Sequence, residues 1–326
     1  MEIKSALREQ FTLAQAGNPT GKALTLNQVQ ASVALAQFAE VSLFNLLAKN
    51  NVLLEANSLS VQVLKNQALE FKPKSTLGTG ALGKWRITET ETIAWNAPIV
   101  AVEGISAYES EMMPVDLAAI KGAKAADQFQ KTFERTGFKL IENTIIKQGG
   151  TQKIQKDLSQ LQPLEIYNEL VGQATKLLKT VKPEQGIDLL RRDQIVIMVE
   201  PLLFDKLAIA GLLGNRAAQT LEEGQYGIQY VGGYKIVSNP YLTKFDAIVS
   251  VNFAAFGAQS IIKMTYGPLD NLSADLGFYF EGKMAHAVLY KDLLVGFTKE
   301  SNLNAAYKEN EYVELPEGAK QLKDGN

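Results

Sequence analysis

The sequence predicts an α+β chain organised around one very long helix. From Pro114 to Gln148 no proline intervenes, and Ala118, Gly122, Ala126, Phe129, Phe133, Gly137, Ile141 and Ile145 recur at helical spacing. Residues 70–98 have no such periodicity, only a Gly- and Pro-rich stretch followed by β-branched and aromatic residues. From Thr220 to Thr298 apolar runs alternate with glycine turns, the pattern of strands.

Composition bounds what such a chain can do. Its 326 residues, 46% hydrophobic and 21% charged, have room for about two domains of ordinary globular composition. With 33 basic and 35 acidic residues the net charge is −2, unlike a generally basic nucleic-acid binder. Cysteine is absent, which excludes disulfides, thiolate nucleophiles and Cys-ligated metals. His286 is the only histidine, so a Ser-His-acid triad could be built only there and a two-His metal site not at all. The start of the chain is polar and of mixed charge, without the apolar stretch of a secretory signal. The longest membrane candidate, Leu202 to Leu213, contains Asp205 and Lys206 and falls short of the ~20 apolar residues a span needs. The expectation is a soluble protein made in a cytoplasm, with no membrane partner.

In chain order, residues 1–23 are polar and broken by the turn cluster Gly17-Asn18-Pro19-Thr20-Gly21. Thr25 and Asn27 offer N-caps for a helix to about Asn50, with Val29, Val33, Ala36, Ala39, Leu43, Leu46 and Leu47 as its buried stripe. Residues 70–98 read as a long two-stranded excursion with a glycine-rich tip. A hairpin alone is marginal in water, so Trp85 and Trp95 suggest a surface completed by another subunit. A short strand, Ile99 to Ile105, leads to the Pro114–Gln148 helix. At 1.5 Å per residue its 35 residues span roughly 50 Å, too long for an ordinary compact domain. Gly122 and Gly137 mark kinks or close contacts. Pro163 opens an amphipathic helix that ends at Lys182-Pro183, and Gln194 to Val199 is a strand buried on both faces. Glu200-Pro201 starts a short helix through Leu212. Further β-rich runs are Tyr226 to Val237, Ala247 to Phe253, Ser260 to Tyr266 and Ala285 to Phe297. Residues 300–326 read as a surface tail.

Few residues combine into a chemical motif. Gly78-Thr79-Gly80-Ala81-Leu82-Gly83 matches the dinucleotide fingerprint G-x-G-x-x-G, with Glu103 placed as its acidic partner. The fingerprint needs an apolar strand before it and a helix after it, and neither is present. Glu89 and Glu91 stand on one face of an exposed strand, without the apolar pocket that would set an acid–base pair. His286 lies beside an apolar run with no G-x-S-x-G nucleophile elbow in the chain, and reads as a partly buried structural residue. Arg191-Arg192 and Lys72, Lys74 and Lys84 are short basic clusters, expected to be solvated or paired across an interface. No catalytic residue, cofactor site or metal site is assigned.

The order of elements resembles that of tailed-phage major capsid proteins, the Hong Kong 97 fold. The resemblance covers about residues 24–298. It makes residues 1–69 an N-terminal arm and 70–98 the extended loop. It makes 99–150 and 271–326 a peripheral domain with Pro114–Gln148 as its spine helix, and 151–270 an α/β axial domain. The stretch Gln194-Ile195-Val196-Ile197-Met198-Val199-Glu200-Pro201 and the turn Gly232-Gly233-Tyr234 resemble parts of that axial domain. The resemblance implies a virion structural protein that assembles in the host cytoplasm into hexamers and pentamers of an icosahedral shell. The shell encloses DNA touched weakly and without sequence specificity, and a portal protein and a separate scaffold protein are the implied partners. Phe71, Lys84, Trp85, Arg86 and Trp95 of the loop are the expected contacts with neighbouring subunits. Two rivals are an encapsulin-type nanocompartment, with the same plan around a cargo enzyme, and a nucleotide-binding α/β enzyme built on Gly78, Gly80 and Gly83.

Overall fold

The long helix forms over the whole expected range, Pro114–Gln148, as one unbroken element. Pro114 sits in the first turn, where a missing N–H costs nothing; Asp116 stands in that turn and Lys147 in the last, the signs the helix dipole favours. Gly149, at φ +58°, ends it. The computed structural model describes residues 3–17, 23–39, 42–65, 90–106, 108–109, 113–149, 152–182, 187, 189–213, 229–268 and 276–298.

The N-terminal residues are not a free arm. Helix α1 (Ile3–Gly17) buries Ala6, Leu7 and Phe11. Gly122 of the long helix lets Leu7 and Phe11 approach closely, and Arg8 pairs with Asp116 at 2.8 Å. Charged residues between the apolar positions hid this stripe in the sequence. Strand β1 (Leu24–Leu26) and helix α2 (Gln28–Ala39) follow. Asn27 caps α2 reciprocally: its side chain accepts from the Gln30 N–H at 3.0 Å, and the Gln30 side chain accepts from the Asn27 N–H at 3.1 Å. The helix expected to run to Asn50 stops early. A 3₁₀ turn at Phe44–Leu47 and strand β2 (Val52–Ala56) take its place. The cause is tertiary, because a carboxylate of the long helix takes the Phe44 N–H at 2.9 Å. Leu43 and Leu47 are buried as expected, but Val29 is 77% exposed.

Strands β2, β3 (Ser60–Leu64) and β4 (Thr90–Ala94) form a small antiparallel sheet. The β3–β4 ladder closes at Leu64 opposite Thr90. Val61, Val63 and Ile93 give this sheet a buried face.

Helix α3, as the long helix is numbered, lies against a four-stranded antiparallel sheet of order β1-β11-β12-β5, with β5 at Ile99–Gly104, β11 at Ala255–Pro268 and β12 at Leu276–Val288. A second, six-stranded sheet has the order β6-β13-β10-β7-β9-β8. It comprises β6 (Lys153–Gln155), β7 (Ile195–Val199), β8 (Gln229–Val231), β9 (Tyr234–Ser238), β10 (Ala247–Val251) and β13 (Val295–Thr298). Helices α4 (Pro163–Leu178) and α5 (Pro201–Ile209) accompany it. All five residues of β7 and of β10 are buried, as the unbroken apolar run of β7 requires; in β10 Ser250 is buried with its apolar neighbours. Gly232 and Gly233, both at positive φ, make the two-residue turn between β8 and β9.

The boundary expected at 270/271 falls inside the β11–β12 hairpin, so residues 255–268 belong with α3 and not with the six-stranded sheet. The run Ala285 to Phe297 is likewise two strands in two sheets rather than one. The chain changes sheet at Asn252–Ala254 and again at Leu289–Leu294. The two crossings are tied together, since Leu289 N–H and Tyr290 N–H both donate to Ala254 O, at 2.8 and 3.1 Å. Only Asn252 and the pair Lys291-Asp292 interrupt the apolar sequence through the two crossings, too short a polar mark to read as a switch.

Candidate assembly site

Among the described residues no cluster of three or more metal-ligating side chains occurs, and no helix is long and apolar enough to cross a membrane. What α3 supplies is a rigid frame, held to three other parts of the fold by buried or half-buried charged groups.

Near its start, Lys121 donates to Glu103 of β5 at 2.7 Å and reaches Glu109 at 2.8 Å. Hydrogen bonds to Glu103 and Glu109 raise the Lys121 pKa, and the bond from Lys121 lowers that of Glu109. Glu103, the residue placed to serve a dinucleotide fingerprint, is thus engaged in holding β5 to the helix. Midway, the buried Glu134 accepts from Ser42 Oγ at 2.5 Å, the Phe44 N–H at 2.9 Å and Gln130 Nε2 at 2.8 Å. Burial raises its pKa against the pull of these bonds. Gln130 in turn accepts from Gln259 Nε2 of β11 at 2.8 Å. Near its end, the buried Glu142 accepts from Thr243 N–H and Thr243 Oγ1, each at 2.7 Å, and from Lys244 N–H at 2.9 Å. Sequence reasoning assigned neither Glu134 nor Glu142. Their only signal was position, since Glu134, Gly137, Phe138, Ile141, Glu142 and Ile145 share the buried side of one helix.

Gly137 is a close contact, not a kink. A Cβ there would stand 2.5 Å from Cδ2 of Phe44, and one at Gly257 of β11 would stand 2.9 Å from the opposite edge of the same ring. Phe133 and Phe138 meet that ring edge-on, with centroids at 5.7 and 5.8 Å. His286 completes the socket at 5.2 Å from Phe44 and 4.4 Å from Phe133. Its Nε2 lies 2.9 Å from Phe133 O, and burial lowers its pKa to about 4. The sole histidine is therefore a structural, partly buried one, as its apolar setting in the sequence indicated.

Among the described residues, two sheet edges expose several apolar side chains. Strand β2 is exposed throughout, with Val52, Leu53 and Leu54 about half exposed and Leu59 beyond it at 80%. Strand β5, the edge of the four-stranded sheet, exposes Val100 and Val102. Trp95 stands between them and is held within its own chain: Nε1 donates to Asn57 O at 2.9 Å, and Lys283 Nζ sits 4.5 Å from the ring centroid. The other expected contact residues, Phe71, Lys84, Trp85 and Arg86, lie outside the described residues. So do Glu89, the glycine fingerprint at 78–83 and the tail from 299. Glu91 pairs with Lys65 at 3.0 Å, Arg191 with Asp193 at 3.3 Å, and Arg192 donates to Gly232 O at 2.7 Å. Each of these contacts is made within the chain's own fold.

No protein-family model and no curated protein matches the chain. Solved structures do. The capsid of Ralstonia phage GP4 is 11% identical over 76% of this chain and 86% of its own, at a TM-score of 0.52. The capsid of cyanophage P-SCSP1u is 15% identical, covering 75% of this chain and 84% of its own at a TM-score of 0.49. The virus-like particle from Pyrococcus furiosus is 14% identical, covering 82% and 97% at 0.49. The likeness to the GP4 capsid, with the long helix set across its four-stranded sheet, gives this protein the Hong Kong 97-type phage-capsid fold.

Proposed function

We propose that this protein is a shell-forming structural protein, many copies of which close into an icosahedral capsid around phage DNA. The observation that carries the reading is the capsid fold joined to two open apolar sheet edges. Exposed apolar edge strands are a liability in a monomer, because their free N–H and C=O groups recruit further strands. In a shell neighbours cover them. A 35-residue helix suits the same use, since it carries the fold across a distance that one small domain does not need.

Hexamers and pentamers are the expected capsomers. A portal protein, a separate scaffold and weakly held DNA are the expected partners, the last in keeping with a net charge of −2. Residues 70–98 are proposed to lie across a neighbouring subunit through Phe71, Lys84, Trp85 and Arg86. Trp95, stacked under Lys283 and bonded to Asn57, fixes the base from which that segment departs. The protein is proposed to act without catalysis, and its one histidine packs in the Phe44 socket.

Electron microscopy of the purified chain, alone and co-expressed with its genomic neighbours, tests the proposal. Closed particles of megadalton mass are expected. A monomer or dimer under every condition would refute it. Nucleic acid within the particles supports a capsid; a packaged cargo protein instead would move the reading to an encapsulin-type compartment.

A further inference from the structure

The socket around Phe44 contains a group that structural support alone does not account for. Nε2 of His286 faces Phe133 O at 2.9 Å, so the neutral ring carries its proton on Nε2 and donates there. Nδ1 is then a bare acceptor. The ring as a whole is half-buried, but Nδ1 is closed off from solvent, and no group among the described residues bonds to it. The ring's neighbours are the aromatic faces of Phe44 and Phe133 and the bare backbone of Gly137, whose added Cβ would lie 3.0 Å from His286 Cδ2.

Phe44 is the plug in that socket and fastens residues 42–47 to α3, a second attachment beyond that of α1. Glu134 holds its backbone, and Ser42 Oγ both donates to Glu134 and accepts the Asn45 N–H at 3.2 Å. Five residues beyond the 3₁₀ turn begins β2, the exposed edge of the small sheet. The position of that edge therefore depends on whether Phe44 is seated.

We propose that His286 is an acid-operated release for this plug: a proton taken up at Nδ1 has no acceptor in the seated socket, and the state that accommodates it is one in which Phe44 has left and residues 42–47 are free of α3. The sign follows from linkage. The seated ring titrates at about 4, while a ring opened to water returns to its ordinary 6.5. The open state therefore binds the proton first, and opening is favoured as pH falls from 6.5 towards 4. At pH 5 these two values give an opening equilibrium about thirtyfold larger than at pH 7.5.

The other titratable group at the socket is Glu134 on α3. Its burial raises its pKa, so its own protonation favours the seated state and opposes His286. Also on α3, Lys131 is paired with Asp127, and Arg135 is exposed. The 42–47 turn brings only Ser42 and Asn45 as polar side chains, β11 brings Gly257 and Gln259, and β12 brings no ionisable side chain besides His286 to the ring. Tyr241 lies behind Phe138, stacked at 6.2 Å.

The test is amide exchange of the full chain near pH 7.5 and near pH 5, corrected for intrinsic rates, in the wild type, His286→Gln and His286→Phe. The Glu134 contribution is common to all three and cancels. Opening at the amides of Phe44, Asn45, Leu46 and Ala48 is expected to rise about thirtyfold more in the wild type than in either variant. Strands β7 and β10 should stay protected. A difference of less than about threefold, or loss of protection in β7 and β10 together with the turn, overturns the proposal. Should neither variant fold, the wild type still decides, because a single histidine gives one imidazole signal: its titration must track the exchange of residues 44–48. Titration at the ordinary 6.5 with unchanged exchange would refute the release.

Discussion

Gly137→Ala is the sharpest test of the packing described above, because sequence rules and the structure predict opposite outcomes. In a helix interior with free space, Gly→Ala gains about 1 kcal/mol from the unfolded chain's lost freedom. Gly172 of α4 has that space, with no atom within 4 Å of an added Cβ, so Gly172→Ala should stabilise by about 1 kcal/mol. At Gly137 the same methyl would stand 2.5 and 2.7 Å from two ring carbons of Phe44. The ring would have to retreat by about 1 Å to reach ordinary contact. It has nowhere to go, with the close approach to Gly257 on its far edge, Phe133 and Phe138 against it, and its backbone tied to Glu134. Overpacking costs about 1–3 kcal/mol, and losing a buried phenylalanine about 3–5. With the helix gain subtracted, Gly137→Ala should destabilise by about 2–4 kcal/mol if the ring is expelled. Denaturant midpoints of the unassembled protein measure both variants. Adding Phe44→Leu to Gly137→Ala should recover part of the loss, a coupling of about 0.5–3 kcal/mol. A Gly137→Ala protein as stable as the wild type would show that the Phe44 socket is not closed as described.

Glu142→Ala should cost about 3 kcal/mol by leaving the Thr243 and Lys244 donors without an acceptor, and Glu142→Gln clearly less, as read from denaturation midpoints. Leu53→Lys and Val100→Lys alter exposed edge residues, so the unassembled subunit should keep its stability to within about 0.5 kcal/mol while particle yield by electron microscopy falls. Normal particles from both would remove the edges from the assembly surface. Trypsin should cut at Lys72, Lys74, Lys84 or Arg86 much faster in unassembled protein than in particles, with a far smaller change at Lys121 and Lys131. Equal cleavage before and after assembly would show that residues 70–98 make no contact between subunits.

The sequence by itself determined the elements whose cause is local. The long helix was legible from end to end, because a proline start, a glycine stop and an unbroken three–four spacing all act within a few residues of one another. The same holds for the fully buried strand at 195–199, the Gly232-Gly233 turn and the Asn27 cap. The absence of cysteine and the single histidine limited the chemistry before any fold was known. Only the tertiary structure decided the rest. Glu134 ended the second helix early by taking the Phe44 N–H from 90 residues away, a competition no local propensity records. The switches between sheets at 252–254 and 289–294 carry only the short polar marks Asn252 and Lys291-Asp292, and it is pairing with distant strands that assigns β10 and β11, and β12 and β13, to different sheets. Gly137 was open between a kink and a close contact, and Gly257 and Gly282 carried no reading at all. Each admits an aromatic ring from another element at under 3 Å from where its Cβ would stand, and close approach of that kind exists only once those elements have met.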